Sequence, residues 1–222
     1  MATKTKSKAK PKREKLSLPK ISNRQLGTAA AVVASVAAIG AGLFFAKDKA
    51  TPRPNYDTQS EEGEFSVRDY PALVVAETVV YGVVDRKQAQ NEGFRTLADY
   101  IFAKSRDGEK IAMTAPVLLD RDSSGADEAW RMRFIMPDGY SKETLPPPPA
   151  GVTITELPAR RVGAVAFSGL WTDDALEHNE SGLRQWLDAE GETLSGRVEY
   201  AFYDAPMIPG PLRRNEVLIP LG

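Results

Sequence analysis

Cysteine is absent from this 222-residue chain. Its absence excludes disulfides, thiol nucleophiles, iron–sulfur clusters and thiolate zinc sites, and leaves the redox compartment open. Histidine occurs once, as His178, so a zinc site or a Ser-His triad would need unusual ligands or bases. Glycine-rich phosphate loops are missing as well: Phe167-Ser-Gly-Leu170 has one glycine at a strand end and matches neither phosphate-binding fingerprint. Hydrolase readings fall with these absences, and neither a catalytic nor a metal-ligating residue is assigned. His178, beside Glu177 and Glu180 on a helix expected over Asp173–Ala189, reads as a polar-face residue, axial metal ligation being the sharper alternative. Asp173 and Asp174 read as helix N-cap residues, and Asp69 and Glu156 as equivalent turn residues.

Net charge is close to zero, yet it is unevenly distributed. Residues 1–25 hold nine Lys/Arg against Glu14, whereas residues 61–222 hold 17 basic and 27 acidic residues, net −10. An acidic domain whose arginines form no dense stripe repels phosphate backbones, so no nucleic-acid partner is expected. Between tail and domain, Gly27 to Ala46 runs twenty residues without a charge. As a helix it is about 30 Å long, enough to cross a hydrocarbon core. A cleaved signal peptide is the competing reading, but the basic region is unusually long and Phe44 occupies the position where a small-x-small site needs a small residue. The expectation is an uncleaved N-terminal transmembrane helix over 26–46, with a basic disordered tail over 1–25. The excess of positive charge before the span keeps the N-terminus cytoplasmic and sends the domain to the periplasm or otherwise outside.

Residues 47–63 have no hydrophobic period and read as a linker, with the domain over 64–222. Phe65 and Val67, then Leu73 to Val80, carry strand signals, and Asp69-Tyr-Pro71 is the turn between them. Phe94, Leu97, Ala98, Ile101 and Phe102 recur at helical spacing within Gln88–Ser105, and strands are expected near Lys110–Leu119 and Trp130–Met136. The same order then returns. Phe65-Ser-Val-Arg-Asp-Tyr-Pro-Ala lies over Val152-Thr-Ile-Thr-Glu-Leu-Pro-Ala, Gly93-Phe-Arg-Thr over Gly182-Leu-Arg-Gln, and Ala115-Pro-Val over Ala205-Pro-Met. The repeats span about 64–140 and 150–222, joined by Pro146–Pro149. Each unit reads as two strands, a helix and two strands, giving an α+β domain in which two units cover one another and leave a groove where they meet.

Met113, Met132, Met136 and Met207 suit either irregular core gaps or a flat hydrophobic ligand. Arg213-Arg214 suit a ligand carboxylate or the domain's own carboxylates.

The segments Lys110-Ile-Ala-Met-Thr-Ala-Pro-Val117, Tyr203-Asp-Ala-Pro-Met207 and Arg213-Arg-Asn-Glu-Val217 resemble the SOUL haem-binding protein family. Phe65 to Ala76, Met136-Pro-Asp-Gly-Tyr140 and Phe167-Ser-Gly169 extend the resemblance, in order, across Glu64 to Leu221. The resemblance implies a duplicated β-α-β-β unit forming a SOUL-like fold, similar to bacterial effector-binding domains. It also implies a haem or other tetrapyrrole ligand and a non-catalytic binding or carrier role. In that family the ring lies between the first helix and the loop before the last strand, here Asn91 to Lys104 and Ala205 to Arg213. Carried over, Phe94, Leu97, Ala98, Ile101, Met207 and Ile208 would contact the ring, with Arg95, Lys104 or Arg213 substituting for the family's basic residues at a propionate. Asn91, Asp99 and Ile208 stand where the family places basic residues, and the first half has no histidine to ligate iron. The alternatives are a protein-interaction or other small-molecule-binding module on the same fold, with no protein partner identified, and a tetrapyrrole-metabolising enzyme with Glu109, Asp99 and Tyr203 as nominal acid–base residues.

Overall fold

The structure is a computed structural model and describes residues 51–122, 129–205 and 207–222. The expected tail, transmembrane helix and first linker residues lie outside them. Among the described residues no helix is long and apolar enough to cross a membrane.

Nine strands and two long helices follow one another as β1 (Asp57–Glu62), β2 (Phe65–Tyr70), β3 (Leu73–Tyr81), α1 (Arg86–Ile101), β4 (Val117–Asp122), β5 (Ala129–Ile135), β6 (Thr153–Leu157), β7 (Arg160–Ser168), α2 (Asp173–Ala189), β8 (Glu199–Phe202) and β9 (Arg214–Pro220). All strands join one sheet in the order β1-β2-β7-β9-β8-β4-β5-β3-β6. With β1 set aside, exchanging β2–β5 for β6–β9 turns this order into its own reverse. The sheet thus has a pseudo-twofold between β4 and β8, whose antiparallel register pairs Val117 with Phe202 and Leu119 with Tyr200. The leading strands do not stay in their own halves: β2 pairs with β7 and β3 with β6. Each half carries one strand more than a β-α-β-β unit, and that strand is the one exchanged.

Asp85 caps α1 by accepting a 2.7 Å bond from the Gln88 amide. Ala89, Gly93, Leu97 and Ile101 then fall on its buried face. The helix stops at Ile101, short of the expected Ser105, because the chain turns at Ala103, whose φ is +54°. Thr172 caps α2 and not Asp173 or Asp174, which occupy its first turn and complement the helix dipole. β4 begins only at Val117, after Pro116, which has no N–H to give a ladder.

Both helices pack on one face of the sheet. Leu97 and Ile101 of α1 pack on Leu119, Met132 and Phe134, and Leu183 and Leu187 of α2 on Val165, Val217 and Ile219. Trp171 and Tyr200 touch both clusters and join them. Glycine lets α1 come close, since a Cβ on Gly93 would sit 3.1 Å from Met132 Cβ. Replacing Gly93 with valine is expected to lift α1 and lower stability by about 1–3 kcal/mol, read as a reduced urea midpoint.

The linker expected over 47–63 differs from what forms. Residues 52–56 lie against the helix-free face, and Asp57–Glu62 is the edge strand β1, paired to β2. Its burial pattern is almost wholly exposed, so it carries no apolar period to be read. The Pro52 carbonyl accepts from the Ala115 amide at 2.9 Å, and the Tyr56 ring lies 5.0 Å from Tyr70 and under Arg68.

Candidate functional site

The seven residues assigned to a ligand from the sequence separate by depth. Leu97, Ala98 and Ile101 are on the buried side of α1 in the main core, and Ile208 is 2 % exposed. Phe94 is partly exposed and rests edge-on against Phe134, 5.2 Å between centroids. Met207 is 70 % exposed. Arg213 braces its own loop, Nε donating to the Ile208 carbonyl at 2.7 Å. Phe94 therefore stands on the outer side of α1 with Phe134 behind it, and beyond Phe134 the cross-strand row continues through Val117 to Phe202 and Trp171. The 204–213 loop leaves the sheet at the Phe202 end of that row.

A tetrapyrrole needs a flat apolar contact, cations for its carboxylates and, as haem, a donor to iron. Phe134, Val117 and Phe202 are themselves buried in the core, and of the apolar side chains named here Phe94 and Met207 reach solvent most fully. Arg213 lies on the adjoining loop. A metal-binding set is not assembled: no group of three His, Cys, Asp or Glu that could hold a metal ion occurs among the described residues, and His178 is exposed on α2. Of the seven residues, Phe94 and Met207 are the apolar ones exposed enough to touch a macrocycle.

The helix-free face was not legible as a site, and it carries the buried charge. Glu216, fully buried, accepts from Arg68 Nη1 at 2.9 Å, Tyr203 Oη at 2.7 Å and Arg214 Nη2 at 2.5 Å. Burial pushes its carboxyl up, but Arg68, the Tyr203 hydroxyl and Arg214 outweigh this and hold it below the usual carboxylate range. Burial, reinforced by Glu216, pushes the Tyr203 hydroxyl well up, and burial raises Tyr70 to about 12. A second network crosses the sheet: Arg133 donates to Asp120 at 2.7 Å and Glu77 at 3.2 Å and lies 3.7 Å from Glu199, which Arg160 grips through both oxygens at 2.6 and 2.7 Å. Burial raises the Asp120 carboxyl above its ordinary value in spite of Arg133 and Arg131. At the sheet margin a cleft of about 520 Å³ is lined by Asp69, Tyr70, Arg160 and Arg161, and another of about 330 Å³ by Tyr56 and Tyr70. None of the seven expected residues lines either.

The signal for these networks was present in the sequence as alternating opposite charges on strands that turn out to be central, Asp120 and Asp122 beside Arg131 and Arg133. Period-two polar residues look the same on a solvent face.

The family profile described as SOUL heme-binding protein matches residues 51–220. No protein of curated function matches. Among solved structures, the EcmrR C-terminal domain is similar at 14 % identity with a TM-score of 0.57, over 75 % of this chain and 98 % of that one. A hydrolase from Listeria innocua is similar at 9 % identity and a TM-score of 0.51, over 74 % and 94 %. At such identities the likeness is one of fold.

Proposed function

Because the chain belongs to the SOUL heme-binding protein family, we propose that it is a membrane-anchored, non-catalytic tetrapyrrole-binding or carrier protein, its ligand held mainly by apolar contact. The family match over residues 51–220 carries the ligand class, and the uncharged run 27–46 supports the anchor. Phe94 and Met207 supply the ring contacts, Leu97, Ala98, Ile101 and Ile208 form the packed backing that keeps them in place, and Arg213 serves a propionate. A bound tetrapyrrole supplies a flat apolar face and two carboxylates, and as haem an iron. The chain's own residues exclude water from the ring and fix its orientation. The uncharged run 27–46 is the anchor, residues 1–25 the cytoplasmic tail and 52–222 the exported domain. The excess of acidic residues in that domain supports the absence of a nucleic-acid partner.

Haemin titration of the full chain in lipid nanodiscs, against empty nanodiscs, tests the reading. A saturable Soret shift with quenching of Trp130, Trp171 or Trp186 is expected. Replacing Phe94 and Met207 together by aspartate should weaken affinity roughly hundredfold, about tenfold for each apolar side chain removed from the ring. Absence of any saturable response would sink it. The clefts at Tyr70 favour a second reading, another small molecule bound on the helix-free face. Haemin affinity that is undiminished by the Phe94 and Met207 changes but abolished by Tyr70→Ala would select that face.

A further inference from the structure

The chain enters the domain at one end of the sheet. The Pro52 carbonyl is bonded to the Ala115 amide, and the Arg53 guanidinium lies 4.9 Å from the centre of the Tyr203 ring. Tyr203 is also the root of the 204–213 loop, its amide facing the Arg214 carbonyl at 3.4 Å. That loop carries Met207 and Leu212, 70 % and 63 % exposed. Leu170, 59 % exposed, leans on the same loop, its Cγ 3.2 Å from where a Cβ on Gly210 would stand. Three of the most exposed large apolar side chains described thus sit on or against the loop whose root, Tyr203, lies under Arg53 at the point of entry.

Only residues 47–51 separate Ala46, the end of the uncharged run, from Pro52. Even fully extended, that stretch reaches no more than about 20 Å. Two of its five residues, Lys47 and Lys49, are basic, which suits lipid headgroups. We propose that Leu170, Met207 and Leu212 form an interfacial tip that inserts into the surface of the lipid bilayer. The proposal rests on reading 27–46 as the anchor. The short tether brings the entry end of the domain within reach of the headgroup layer, and apolar prongs on loops bordered by cations are the chemistry that layer accepts. A lipid-dissolved ligand would then meet Met207 without crossing water.

The cysteine-free chain allows single labels. Leu212→Cys and, as a control, Glu190→Cys carry an environment-sensitive fluorophore on the full chain in vesicles containing doxyl lipids. Glu190 ends α2, which runs about 25 Å back from the tip. Quenching is expected to be roughly threefold greater at 212 than at 190, and Leu170→Asp should reduce it to the control level. Carbonate extraction of the same vesicles reads the anchor separately. A chain that resists extraction while its 212 label stays in water keeps the anchor and overturns the tip. A chain that is extracted but whose 212 label still enters added vesicles keeps the tip and overturns the anchor. Disulfide capture of one 212 cysteine by another, with no lipid quenching, identifies a second copy as the occupant and overturns the proposal.

Discussion

Glu216→Ala should lower stability by about 3–5 kcal/mol, a large part of what a domain of this size has to lose. Arg68 is almost completely buried with Glu216 as its ion-pair partner, and a guanidinium cannot shed its proton to escape burial. Tyr203 loses its acceptor at the same time. Glu216→Gln keeps an oxygen but not the charge, and is expected to fall between the two. Exchanging the pair together, Arg68→Met with Glu216→Leu, should recover much of the loss, since the penalty comes from the orphaned cation more than from a missing attraction. Guanidinium denaturation of the wild type and the three variants at neutral pH gives the comparison.

The dependence on pH follows from the depressed Glu216 carboxyl. Its folded value lies below its unfolded one, so the unfolded chain takes up the proton first as pH falls. The contribution is complete above the ordinary value of 4.5 and fades as pH descends through the folded value. Asp120 acts in the opposite sense: its raised carboxyl costs stability as pH rises above the ordinary 3.8. The difference between the wild-type and Glu216→Gln curves isolates the first effect, and it should shrink only on the acid side of 4.5.

Arg133→Met is the second large effect, about 3–5 kcal/mol at neutral pH, with a different signature. Arg133 serves Asp120, Glu77 and Glu199 at once, and removing it leaves carboxylates facing one another in a buried site. Carboxylates can be neutralised by protons, which guanidinium groups cannot. The deficit of Arg133→Met should therefore narrow as the solution is acidified from pH 7 towards 4, whereas that of Glu216→Ala should not. Thermal melting across that range distinguishes the two, and parallel deficits would show that poorer packing dominates.

What could be read from the chain, and what could not, follows physical lines. The repeat is legible because β3 and β7, like α1 and α2, begin 87 residues apart, and Leu97 and Ile101 announce a buried helix face by their spacing alone. The exchange of β2 and β6 is not legible, since a repeat states what each unit is and not whose edge it will seek. β1 is invisible because an edge strand needs no apolar side chain. Leu97, Ala98, Ile101 and Ile208 have the same apolar character whether they line a cleft or fill a core, and only packing assigns their depth. Arg214 pairs with Glu216 and Arg213 holds the Ile208 carbonyl, so of the two roles open to this pair the structure displays intramolecular ones. Glu216, Arg133 and Asp120 read as solvated strand positions because alternation is identical for water and for a paired charge.

The exchanged strands also impose an order on biogenesis. When the proline run 146–149 leaves the ribosome, α1 and β3–β5 can already assemble, but the β1–β2 hairpin has nowhere to lie. Its seat is β7, which is made later and is completed by β9 near the last residue. The hairpin must wait for the final strand, so the domain closes only after nearly all of it has been synthesised.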